Sequence, residues 1–200
     1  MARLPRSFVV LAGLLAFAAC KRHPDEPPAP ARLAPGEVPV VHEPITIDGE
    51  IHEHEWNTLA RFAAFTAGGG EARPYSQIRL LRDDRTLYLG LYAADQDIRS
   101  SDRFELAIGT LALSIDPRAV ITPPIAGARA AADVDETLDD PRDEDEEWII
   151  EAAIPITAVP PGATTIHARR CDTPKDGRER CGSWDGPLAL PPRAAAPPAR

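Results

Sequence analysis

Cysteine, tryptophan and carboxylate are the side chains whose types and spacing could do chemistry in this sequence. Cys171 and Cys181 stand ten residues apart around a segment rich in Asp, Lys, Arg and Gly. Oxidised to a disulfide, they would close that loop and stabilise the fold by about 2–3 kcal/mol. A metal site or a haem attachment is the other chemistry open to two cysteines. The spacing is not Cys-x-x-Cys and no His follows Cys181, so a disulfide is the expected pairing. Trp184 lies three residues further on, in Gly182-Ser183-Trp184-Asp185-Gly186, a composition expected of a loop. An indole there offers a flat apolar face for stacking, with Arg170, Asp172 and Asp185 close in sequence to meet hydroxyl groups. The bland alternative is the same ring folded back on the domain. Trp56 and Trp148 fall in apolar patterns with Leu59 and Phe62, and with Ile150 and Ile154, and belong to the core.

Ten of the fifteen residues from Asp133 to Glu147 are acidic. Such density predicts a solvated loop, with calcium ligation by carboxylates as the functional alternative. No Asp-x-Asp-x-Asp-Gly loop accompanies it. His52 and His54, two apart, would share a strand face and could hold a metal, but Glu53 and Glu55 make a solvated face the expectation. His167 has no metal partner nearby in sequence. With 31 acidic residues the chain has room for a carboxylate pair of the kind that hydrolyses glycosidic bonds. No Gly-x-Ser-x-Gly, His-Glu-x-x-His or phosphate-cradling glycine loop is present, and a non-catalytic protein is expected.

The elements that must position these groups are strands. Between Ile45 and Leu190 the apolar period is two. Ile78 and Leu80, the turn residues Asp83-Asp84-Arg85-Thr86, then Leu87, Leu89 and Leu91, predict a hairpin with one apolar face. Phe104, Leu106 and Ile108, the turn Gly109-Thr110, then Leu111, Leu113 and Ile115, predict a second, with Ile108 opposite Leu111 and Phe104 opposite Ile115. Trp148, Ile150, Ala152 and Ile154 form a further strand face stopped by Pro155, and 165–169 a weaker strand leading into Cys171. Only residues 53–65 could hold a helical turn or two, and 116–147 is expected to be the least structured part. The reading is an all-β, antiparallel β-sandwich.

The chain ends read differently. Arg3 and Arg6 precede an apolar stretch, residues 8–19, too short to span a bilayer, which closes in small residues before Cys20. This resembles a bacterial lipoprotein signal, with an ordinary secretory signal as the alternative. The resemblance implies residues 1–19 as signal peptide, a lipidated Cys20 as membrane anchor, and 20–41, rich in Pro and Ala, as a tether. The globular domain is expected over 42–190, with 191–200 as a disordered tail. The place is the bacterial cell envelope, at the outer membrane rather than the inner, since Lys21 and not Asp follows Cys20. A formal charge of −9 argues against nucleic acid as a partner.

Five pieces in order, 45–56 (ITIDGEIHEHEW), 77–98 (QIRLLRDDRTLYLGLYAADQDI), 101–109 (SDRFELAIG), 146–159 (EEWIIEAAIPITAV) and 169–186 (RRCDTPKDGRERCGSWDG), resemble the family 9 carbohydrate-binding module. The resemblance implies a sandwich of the carbohydrate-binding/DOMON-like type that binds sugars or polysaccharide ends without cleaving them. It implies a role beside enzymes of polysaccharide catabolism. The family clamps a sugar between two tryptophans. Trp184 matches one of them, Tyr75 or Phe65 is the candidate for the other, and Arg170 matches an arginine on the last long strand. Asp172, Asp185, Asp95 and Asp97 are the polar candidates. No cofactor is implied, apart from the calcium alternative. Two other functions fit such a fold. One is an envelope interaction or assembly lipoprotein on a degenerate sugar-binding scaffold. The other is a haem-binding domain, for which Met1, the chain's one methionine, would be lost with the signal.

Overall fold

The alternation of apolar residues is carried into two packed sheets. The computed structural model describes residues 36–135, 137–140, 142 and 144–190. The expected signal, Cys20, most of the tether and the tail lie outside these residues. The strands are β1 Arg61–Ala64, β2 Thr66–Ala67, β3 Gly70–Glu71, β4 Ser76–Arg82, β5 Thr86–Ala94, β6 Arg103–Ile108, β7 Leu111–Ile115, β8 Ile121–Thr122, β9 Arg129–Val134, β10 Glu147–Pro155, β11 Thr165–Asp172 and β12 Arg180–Pro187. One sheet runs β1-β4-β5-β10-β9 and the other β3-β2-β12-β11-β6-β7-β8, with every ladder antiparallel. The protein is an all-β, two-sheet antiparallel sandwich.

Both hairpins form in the register read from the sequence. Ile78 faces Leu91 and Leu80 faces Leu89 across β4 and β5. Phe104 faces Ile115, Leu106 faces Leu113 and Ile108 faces Leu111 across β6 and β7, with Gly109 at a φ of 59° in the turn. These side chains meet Trp148, Ile150, Ala152 and Ile154 of β10 in the main core between the sheets. A short helix, α1 His54–Thr58, occupies the one segment that allowed it.

A second, smaller core lies on the outer face of the five-stranded sheet. Val41, Ile45 and Trp56 pack there on Leu81, Tyr88 and Ala153. Residues 36–41, at the end of the expected tether, belong to the fold: Val38 is in the main core, Glu37 bridges Ala189 and Val40 bridges Arg82. Three expectations are corrected. The alanine run within 116–147 is a strand, β9, because β10 offers it a free edge and pairs with it over six residues. Trp184 is on β12 and not in a loop. His52 and His54 do not share a strand face: His52 pairs with Glu50 at 2.9 Å and His54 opens α1. No helix among the described residues is long and apolar enough to cross a membrane.

The topology brings distant segments to one end of the sandwich. Ser76 opens β4 and pairs with Ala93 near the close of β5. Glu147 opens β10 opposite Ala94, and Asp172 closes β11 opposite Arg180. Asp95, the acidic segment before β10 and the Cys171–Cys181 loop therefore converge.

Candidate functional site

Arg170 is the centre of that end. It faces inward from β11, and its Nη2 contacts Asp95 Oδ2 and lies 3.4 Å from Asp172 Oδ1. All three side chains are buried. Asp95 Oδ1 accepts the Asp97 N–H at 3.1 Å, and Asp97 Oδ2 accepts Arg99 Nε at 2.7 Å and Nη2 at 2.6 Å. Asp102 accepts the backbone N–H groups of Arg99 and Thr173, each at 2.8 Å. The 95–102 loop is also tied from the acidic segment. Asp145 Oδ2 accepts Ile98 N–H at 2.7 Å, and Asp139 Oδ1 accepts Ser100 N–H at 2.9 Å. The acidic run is thus partly a set of loop caps, which its composition alone does not reveal.

Burial sets the protonation tendencies here. It pushes Asp102 up to about 7, assisted by Asp95 and Asp172 and opposed by the two amides. It raises Asp172 as well, against the pull of Arg170.

Oxygens of Asp95, Asp102 and Asp172 lie within 4.8 Å of one another, a set of hard ligands of the kind calcium favours. Arg170 already brings positive charge to two of them, and Asp102 is engaged by backbone amides on both oxygens. The guanidinium does in this cluster what a divalent ion would do, so the residues fit an internal cation better than a bound one.

Above the cluster is an open cleft of about 790 Å³, walled by Tyr75, Asp95, Asp97, Glu146, Asp172, Lys175 and Arg180 among others. Tyr75 is half-buried in its wall. Its ring lies 6.1 Å from that of Tyr92, and its hydroxyl donates to Gln77 Oε1 at 3.3 Å. Burial, and then its bond to Glu147, pushes the Tyr92 phenol up to about 12.

Of the residues singled out in the sequence, Tyr75, Asp95, Asp97 and Asp172 line this cleft and Arg170 supports it from beneath. Trp184 and Asp185 are elsewhere. Trp184 is opposite Ala168, four residues back from Asp172 along β11, or about 13 Å. Its indole lies along its own strand over Gly186, where an added Cβ would sit 2.0 Å from Cζ2, and the Arg61 guanidinium covers it at 5.3 Å. The ring packs against the rim of the main core. Asp185 points outward and meets His167 Nδ1 at 2.6 Å. Cys171 and Cys181 are bonded across the β11–β12 ladder, with Cα atoms 4.2 Å apart. The sequence reading missed Asp102, Ser76, Tyr92 and Arg180. Asp102 had a signal, its place just before the alternating strand that starts at Arg103.

No protein-family model matches the chain, and no curated protein matches it. Two of the solved structures that share its fold are complexes with sugars. One is a family 9 carbohydrate-binding module (CBM9) from Caldicellulosiruptor kristjanssonii in complex with cellotriose, 16% identical, with a TM-score of 0.54 over 82% of this chain and 99% of that one. The other is a CBM9 module from the same organism in complex with glucose, 15% identical, with a TM-score of 0.52 over 82% and 100%. The sandwich is of the carbohydrate-binding-module type, and its likeness to CBM9 is distant.

Proposed function

We propose that this protein is a non-catalytic carbohydrate-binding domain, held at the bacterial envelope by lipid on Cys20, and that its ligand occupies the Tyr75 cleft. The observation that carries this reading is an aromatic ring lining a cleft whose buried carboxylates Asp95 and Asp97 are held by guanidinium groups. Tyr75 supplies an apolar face for a pyranose ring, and Asp97, Glu146, Lys175 and Arg180 supply partners for hydroxyl groups. The buried carboxylates at the cleft are bound to guanidinium or amide groups, an arrangement that orients a ligand rather than moving protons. The complexes of the two similar modules with cellotriose and glucose support the ligand class. The apolar stretch before Cys20 supports the anchor, and Lys21 in place of Asp after it supports the outer-membrane placement.

A glycan array followed by titration calorimetry tests the reading. Tyr75→Ala should weaken binding by about tenfold or more, with little change in melting temperature. Undiminished affinity in that variant overturns the site, and an array silent for the wild type favours a protein-interaction role on the same scaffold. In cells, Cys20→Ser should release the chain from the membrane fraction.

A further inference from the structure

The Tyr75 cleft is more acidic than its own cations can balance. Six carboxylates and three cations line it. The cations are already engaged. Arg73 pairs with Glu71 at 3.1 Å and Arg180 with Asp176 at 2.6 Å, partners that do not line the cleft, and Lys175 is engaged as well. Beneath the cleft, Asp95 and Asp172 share one guanidinium, that of Arg170. A ligand that brings negative charge is disfavoured here, and one that brings positive charge is favoured.

Two carboxylates mark where that charge would sit. Much of the acidic run has structural tasks: Asp135 accepts the Glu146 N–H at 3.0 Å, Asp139 the Ser100 N–H at 2.9 Å and Asp145 the Ile98 N–H at 2.7 Å, while Asp140 pairs with Arg142 at 2.6 Å. Glu144 and Glu146 have no such task. Both side chains are exposed on the cleft wall, and among the described residues neither is held by an ion pair. The strands set Glu146 within reach of Tyr75. The Ala94 N–H donates to the Tyr75 carbonyl at 2.9 Å, and the Asp95 N–H donates to the Glu146 carbonyl at 3.0 Å. Tyr75 and Glu146 thus flank the same short stretch of chain, with their backbones about 10 Å apart. One sugar ring on Tyr75 and one glutamate side chain together span that distance. The face of the tyrosine ring also attracts a nearby ammonium.

We propose that the sugar taken by the Tyr75 cleft carries a free amino group, a hexosamine unit whose ammonium is received by Glu146 and Glu144. The inference rests on the sugar reading and names its ligand class. N-acetylation removes the charge that the glutamates receive, and a uronic acid reverses it, so both are disfavoured.

Titration calorimetry of the whole chain with the trisaccharides of glucosamine, N-acetylglucosamine and glucose tests the proposal. At pH about 6 the amine is charged. In low salt the glucosamine trimer should then bind about fivefold tighter than the other two. In about 1 M sodium chloride, where screening acts within about 3 Å, that preference should fall below about twofold. The double variant Glu144→Gln, Glu146→Gln should bring the affinity ratio close to unity. Asp133→Asn removes an exposed charge of the same run outside the cleft and should leave the preference in place. Equal affinity for the three trimers, or a preference that survives in the double variant, would overturn the proposal while the sugar reading stands. Putrescine bound as tightly as the glucosamine trimer would also overturn it, since charge alone would then be recognised. Silence of all three trimers would overturn both readings.

Discussion

Glu151 and Asp172 are both buried carboxylates on long strands, yet their surroundings are opposite in kind. Glu151, on the central strand β10, faces the small outer core. Its Oε1 accepts Trp56 Nε1–H at 2.7 Å, and its Oε2 accepts the backbone N–H groups of Asp48 and Gly49 at 3.0 and 3.2 Å. The Asp48-Gly49 turn is built onto it: Gly49 has a φ of 104°, and an added Cβ would lie 2.6 Å from the backbone of Ala132. Asp172 ends β11 beside the cleft, and its Oδ1 has no hydrogen bond, only Arg170 at 3.4 Å. A buried charge whose acceptors are filled fastens one part of the fold to another. One left short of donors beside open space marks a place where the fold is not the whole purpose.

The sharpest way to break this contrast is to remove Glu151. Glu151→Ala leaves three donors unmatched in a dry site, at about 1–3 kcal/mol each. Urea unfolding should show a loss of about 3–5 kcal/mol, with the 41–58 segment released from the sheet. A loss below about 1 kcal/mol would mean that the outer core holds without its clasp.

The pH dependence of stability tests both ends at once. Burial pushes Glu151 and Asp102 up to about 7, against the donors that hold them. Folding therefore tightens proton binding at both groups. Their contribution to stability is full below the ordinary carboxylate range near 4 and is lost as pH rises through about 7. The melting temperature should rise as pH falls from about 8 to about 5. Below that range an opposing loss begins. Asp139, held low by the Ser100 amide, protonates there, as does Asp83, held low despite its burial by Arg85, Tyr88 and Thr86. Glu151→Gln should remove about half of the rise, leaving the share of Asp102. A flat profile in the wild type would count against both assignments.

The sheet frame was legible because its residues obey a period of two that only one register satisfies. Phe104 to Ile115 is the clearest case, since one slip would turn six apolar side chains to water. Trp56 and Trp148 were legible as core for the same reason, and Cys171 and Cys181 because no other chemistry suited their spacing. Trp184 was misread because Gly182 and Gly186 look like loop residues. They are glycines on a strand: the indole fills the space where Gly186 would carry a side chain, and Gly182 packs on Ala72. The site was legible only in fragments. Tyr75, Asp95, Asp97, Arg170 and Asp172 were named, but Ser76, Asp102 and Arg180 gain meaning only when the starts of β4, β6 and β12 meet the end of β11. No local pattern encodes that meeting.

The smallest effect is expected where the contrast is most delicate, in Asp172→Asn. The change keeps the shape of the side chain and removes its charge. At Glu151 an amide in place of the carboxylate would turn N–H groups toward donors that need acceptors. At Asp172 there is no such set to offend, since Oδ1 accepts no hydrogen bond and burial already favours the neutral acid. Arg170 loses one partner at 3.4 Å and keeps its closer contact with Asp95. Relief of a poorly solvated charge therefore offsets a weakened ion pair, and the net change in stability should stay within about 1 kcal/mol. Urea unfolding of Asp172→Asn beside Glu151→Gln measures the difference directly. Should Asp172→Asn cost as much as Glu151→Gln, the carboxylate at the cleft is as much a structural fastening as the one at the outer core. The cleft would then have to be argued from Tyr75 alone.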